Sequence, residues 1–156
     1  MSLAYIAQAA DHERIEWIEG SELQILLDGS HTANQVTVVR SSLGAGAASP
    51  LHLHREEDEM FVVLEGHGIF WVGDERHEVG SGGAVFLPRE IPHAYRFTSP
   101  RVDLLTICTP SGMEGFFRGA GRRLTDPRPD GWEVSLDALV AAGIEGGQEI
   151  LGPPPA

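Results

Sequence analysis

Residues 46–66 read Gly46-A-A-S-P-L-His52-L-His54-R-E-E-D-Glu59-M-F-V-V-L-E-Gly66, the pattern G-x5-H-x-H-x4-E-x6-G. On an extended strand side chains alternate between faces, so His52 and His54 point to the same side. Glu59 follows a short polar run and opens M-F-V-V-L-E-G, which reads as the next strand. Two imidazoles and a carboxylate brought to one strand-lined space suit a divalent metal. A third histidine, His93, arrives later in the Pro-flanked segment G-G-A-V-F-L-P-R-E-I-P-H.

Working outward, short strand-like runs dominate, separated by Gly, Pro and Asp. The pattern predicts strands at Ile15–Ile18, Leu23–Leu27, Gln35–Ser41, Met60–Leu64, Gly68–Val72, Glu75–Val79, Ala84–Leu87, His93–Thr98 and Val102–Thr109. Gly73-Asp74 between two of them predicts a tight hairpin, because that pair tolerates the backbone angles such turns need. The tail differs. Gly115–Arg123 predicts a short helix carrying Phe116 and Phe117, and Thr125–Gly131 a Pro-punctuated link. Ser135 is placed to cap a helix over Leu136–Ala142 that Gly143 stops. The closing Gly-Pro-Pro-Pro reads as extended and solvent-facing.

The two His-rich segments resemble the paired signature motifs of the cupin superfamily, small antiparallel β-barrels. The first motif matches at Gly46, His52, His54, Glu59 and Gly66; the second, G-x5-P-x-G-x2-H-x3-N, matches at Gly82, Pro88 and His93. It departs at Glu90, where the family usually has Gly, and at Phe97, where it often has Asn. The strings L-D-G-S-H-T, T-P-S-G-M-E-G-F-F-R-G-A-G and E-I-L-G-P-P-P extend the likeness to single-domain cupins related to quercetin 2,3-dioxygenase.

The resemblance implies an all-β fold, a cupin-type antiparallel β-barrel or jelly roll with short C-terminal helices. One domain spans 1–156, with barrel core about 23–110 and a helical extension about 113–156. It implies one divalent transition metal ion (Fe, Mn, Ni, Co or Zn) held by His52, His54, Glu59 and His93. Asp58 and Glu59 face opposite sides of a strand, and the family spacing selects Glu59. Glu56, Glu57 and Asp58 then read as solvated charges. His12, His31, His67 and His77 read as surface or satisfied core groups.

Three imidazoles and one carboxylate leave a dication at a net +1 and keep one or two coordination positions open, as a catalytic centre requires. Counting by twos from Glu59 and His93 puts Phe61, Val63, Tyr95 and Phe97 on the inward face, lining a pocket for a flat aromatic substrate. The family likeness implies a dioxygenase acting on a flavonol-like or other enolic aromatic substrate with dioxygen, Glu59 doubling as general base. A polyketide-type cyclase or isomerase and a non-catalytic small-molecule binder stand as alternatives.

Bulk properties narrow the partners. The 156 residues carry 23 acidic against 11 basic side chains, a formal net charge of −12. Such a surface repels phosphate backbones and anionic lipid, which argues against nucleic-acid and membrane partners. Cys108 is the single cysteine, so no intrachain disulfide forms, and its apolar run reads as core. The N-terminus has neither a basic start nor a long apolar run, so the expectation is a cytoplasmic protein. By analogy with other cupins, a homodimer is expected.

Overall fold

The computed structural model describes residues 4–156. Strands β1 (Glu13–Glu16), β2 (Glu22–Leu27), β3 (Thr37–Gly44), β4 (Leu51–His54), β5 (Asp58–Glu65) and β6 (His67–Val72) come first. Then follow β7 (Glu75–Gly80), β8 (Ala84–Leu87), β9 (His93–Phe97), β10 (Arg101–Thr109), helix α1 (Met113–Ala120), β11 (Arg122–Arg123), α2 (Leu136–Glu145) and β12 (Gln148–Gly152). Two sheets form, ordered β11-β1-β2-β3-β10-β5-β8 and β12-β4-β9-β6-β7. All pairings are antiparallel, giving an all-β jelly roll with two short helices.

Alternation explains the strands. In β10, Val102, Leu104, Thr106 and Cys108 are buried while their neighbours are not; in β5 the same period buries Glu59, Phe61 and Val63. The opposite face of β10 carries Arg101, Asp103, Leu105, Ile107 and Thr109, none of them fully buried, and there Arg40 forks onto Asp103 with an Nε–Oδ1 distance of 2.9 Å. Two apolar clusters result. One gathers Ile15, Trp17, Leu23, Ile25, Met113 and Phe117; the other gathers Phe61, Val63, Phe70, Phe97 and Leu104.

Glycines sit where the chain changes sheets. Gly46 has φ 83° and donates its N–H to the Phe97 carbonyl at 2.8 Å, so the chain leaving β3 turns to run beside β9. Gly66, at φ 100°, passes so close to Arg101 that an added Cβ would meet its carbonyl oxygen at 2.6 Å. The hairpin at Gly73-Asp74 forms as expected, joining Val72 to its partner Glu75, with Gly73 at φ 57°.

Several boundaries differ from the sequence-based expectations. The first strand sits two residues earlier, because Trp17 leaves the ladder to pack edge-on against Phe116 and Phe117. Helix α1 starts at Met113 and ends at Ala120, and Arg122–Arg123 leave it to pair with β1. Ser135 caps α2 through Ala138 N–H at 3.1 Å, but Gly143 does not stop it. The helix continues to Glu145 with Gly146 as its cap, since Gly143 packs beside Gln148, where an added Cβ would fall 3.8 Å from the Gln148 Cβ.

The tail is more than a helical appendage. Its β12 pairs with β4, setting Gln148 opposite His54 and Ile150 opposite His52. Strands β1, β11 and β12 all lie outside residues 23–110 and still belong to the sheets.

Candidate metal centre

Strands β4, β5 and β9 deliver the site. His52 and His54 alternate inward on β4, and His52 pairs directly with His93 of β9. Glu59 enters from β5 in the facing sheet. All four side chains are buried, and one donor atom from each lies within 4.8 Å of the others. Glu59 Oε2 is 3.0 Å from His54 Nε2 and 3.1 Å from His93 Nε2. The His52 and His93 rings are 4.4 Å apart between centroids, and those of His54 and His93 lie 5.2 Å apart and nearly parallel at 13°.

Each imidazole is held from behind. His52 Nδ1 lies 2.8 Å from the Pro50 carbonyl oxygen, His93 Nδ1 3.1 Å from that of Ile91, and His54 Nδ1 3.0 Å from Glu57 Oε1. In each case an acceptor takes the Nδ1–H, which fixes the tautomer and turns Nε2 toward the shared space. Metal-ligating histidines are oriented this way. The buried Nε2 of His54 has no hydrogen bond of good geometry. An unpartnered buried nitrogen is costly, and a cation between the four donors satisfies it. The residues therefore fit a divalent first-row ion bound by three nitrogens and one oxygen.

Glu57 corrects the expectation of a solvated charge. Only 4% of it is exposed, because it reaches inward from the bend after β4 to His54. Strand alternation could not reveal this, since the residue precedes β5. Asp58 takes the outer face, pairing with Arg89 at 3.2 Å, and Glu56 is exposed. Glu57 is thus a second buried acidic side chain beside the ligand set.

The electrostatics follow from burial and neighbours. Burial, reinforced by His93, lowers the His52 pKa to about 4, so its ring is neutral at physiological pH. Burial also presses on His54, but Glu57 and Glu59 together outweigh it and raise its pKa to about 9 in the absence of metal. Glu59 is held well below the usual carboxylate range: burial opposes its ionisation, and the two histidines overcome that.

The turn carrying the second motif accommodates its departures. Glu90 adopts φ 66°, the left-handed conformation that favours Gly, and its N–H donates to the His54 carbonyl at 2.6 Å. Phe97 replaces a polar group with a ring, buried edge-on against Phe70.

Beside the donors lies a cavity of about 80 Å³, lined by residues from both apolar clusters, including Trp17, Met113 and Phe117. His52, Glu59, Phe61 and Tyr95 face it. Val63 and Phe97 do not. Two residues of strand advance the chain by roughly 6.6 Å, so they fall below the cavity floor in the second cluster. Tyr95 has no hydrogen-bond partner for its hydroxyl among the described residues, and burial followed by the Glu59 charge raises its pKa, keeping it protonated. Trp17, Met113 and Phe117 escaped the sequence reading because they come from segments distant in the chain.

Comparison with known proteins agrees with this geometry. Residues 39–109 match the Cupin domain family. A curated quercetin 2,3-dioxygenase of Bacillus subtilis is 30% identical over 105 residues, covering 67% of this chain and 31% of that protein. The chain thus spans about a third of the length of that relative. Among solved structures, KdgF from Halomonas sp. superposes with a TM-score of 0.62 at 16% identity, over 70% of this chain and 98% of its own. An RmlC-like cupin from Shewanella frigidimarina gives 0.61 at 18%, over 73% and 98%. These structures share the fold. No helix among the described residues is long and apolar enough to cross a membrane. With the motif-bearing strands, the buried donor set and the matched segment in agreement, the chain is a member of the cupin superfamily.

Proposed function

We propose that the protein is a metal-dependent dioxygenase acting on an enolic aromatic substrate of the flavonol type. The observation that carries this reading is the cavity wall: His52 and Glu59 of the donor set stand in one small space with the rings of Phe61 and Tyr95. A bound divalent metal would act there as Lewis acid and template for substrate and dioxygen. The apolar wall excludes water and holds a flat ring. Glu59, kept ionised, supplies a proton acceptor at the donor cluster, and the protonated Tyr95 lines the same cavity. The similarity to quercetin 2,3-dioxygenase supports the reaction class.

The test is oxygen uptake by protein loaded separately with Fe, Mn, Ni and Co, supplied with flavonols. Uptake with at least one metal, abolished by His93→Ala, is expected. No uptake with any of them overturns the reading.

One observation favours a second reading, an oxygen-independent cyclase or isomerase. A protonated Tyr95 and an ionised Glu59 on one cavity wall form an acid–base pair that needs no oxidant. Turnover under strictly anaerobic conditions, lost in Tyr95→Phe, would select it over the dioxygenase.

A further inference from the structure

The inner cavity of about 80 Å³ is small beside the ~300–1,000 Å³ typical of pockets that enclose drug-sized ligands. A second cavity of about 270 Å³ abuts it, and Trp17, Ile18, Leu43, Ala48 and Tyr95 line both. A molecule whose reacting end sits against His52 and Glu59 can therefore extend past Tyr95 into the outer space. Ser21, Glu19 and Arg96 add polar groups there.

Arg96 stands apart from the other arginines. Every cation of the chain other than histidine is an arginine. Among the described residues each one except Arg96 and Arg101 lies within ion-pairing distance of a carboxylate. Arg101 is exposed, whereas Arg96 is half-buried and borders the outer cavity. Among the described residues its guanidinium makes one hydrogen bond, from Nη2 to the Pro155 carbonyl at 2.9 Å. That contact steadies the group and leaves most of its five donors free. A partly desolvated guanidinium with no described carboxylate within ion-pairing distance, in a chain of net charge −12, is a preorganised anion receptor. Glu19 on the same lining is exposed, so it repels an anion less than Arg96 attracts it.

We infer that the outer cavity is a subsite for the anionic tail of an elongated substrate, with Arg96 taking a carboxylate or similar oxyanion while a compact enolic or catecholic head reaches the donor cluster. This rests on the proposed function only in placing the reacting head at the inner cavity. It narrows the substrate class from flavonol-like molecules in general to those carrying an acidic side arm.

Two probes differing only in tail charge test it: 3-(3,4-dihydroxyphenyl)propanoate and its neutral amide, titrated calorimetrically into metal-loaded protein under nitrogen. The acid is expected to bind at least about tenfold more tightly than the amide, the effect of one charge-assisted hydrogen bond. Arg96→Gln should abolish that preference and leave the amide unchanged, while Arg96→Lys should retain part of it. Equal affinities in the parent protein, a preference that survives Arg96→Gln, or no binding of either probe overturns the inference. Thermal melting of both variants checks that loss of the Pro155 contact has not unfolded the tail. Binding is read without oxygen, so failure of the dioxygenase reading appears separately, as absent oxygen uptake with the acid preference intact.

Discussion

The carboxylate of Glu57 meets the back of the His54 ring, Oε1 to Nδ1 at 3.0 Å, with both side chains buried. A carboxylate in this position orients a ligating imidazole and raises its basicity, and losing such a contact typically costs 10–100-fold in metal affinity. Glu57→Ala is expected to weaken metal binding by about that factor, measured by competition against a chromophoric chelator. Glu57→Gln, which keeps an acceptor at the same place, should recover much of the loss. Unchanged affinity in Glu57→Ala would show that the contact is incidental.

The ligands themselves should matter more than their supports. His52→Ala and His93→Ala each remove a nitrogen from the donor cluster and are expected to cost more than the Glu57 substitution. Elemental analysis after dialysis reads this directly, and full occupancy in both variants would remove the site assignment. Because protons compete for ring nitrogen, and the metal-free His54 has its pKa raised to about 9, metal affinity should already weaken as the pH falls below about 9 and keep falling toward about 4, where His52 also protonates.

Acid sensitivity of the fold has a second source at Asp28. This buried carboxylate accepts from Arg118 Nη2 at 2.7 Å and from Ser30 Oγ at 2.7 Å, tying the segment after β2 to α1. Burial pushes its pKa up, but these donors outweigh it and hold it at about 2. A carboxyl whose pKa is lower folded than unfolded contributes stability above the unfolded value, ~3.9, and loses it as pH falls through the folded one. Urea denaturation of the parent should therefore lose ~1–2 kcal/mol between about pH 4 and pH 2. In Asp28→Asn that part of the pH dependence should be missing, and an identical slope would refute the assignment.

Glu90 carries backbone strain at φ 66°. A non-glycine residue there costs about 1 kcal/mol or more. Glu90→Gly should raise the unfolding free energy by roughly 0.5–1 kcal/mol, after the entropic cost of glycine is deducted. Glu90→Val, β-branched, should lower it. Thermal melts of the pair decide the point: a destabilised Glu90→Gly would mean the Glu90 side chain contributes more than its backbone costs.

Beyond the donor quartet, which the cupin motifs implied, the primary structure alone determined the strand periodicity, the hairpin at Gly73-Asp74, the Ser135 cap and the shared face of His52 and His54. These are local, or fixed by short spacing: alternation by twos assigns a face, and a small set of residues tolerates a given turn. Tertiary structure alone decided depth and partnership. Phe61 and Val63 share a face of β5, yet one borders the cavity and the other lies beneath it. Glu57 looked like one more charge in an acidic run until the bend after β4 brought it to His54. The pairing of β12 with β4 and the closing of the cavity by Trp17 and Phe117 join segments far apart in the chain. Such contacts depend on how the sheets stack and where the tail returns, and no local pattern encodes that.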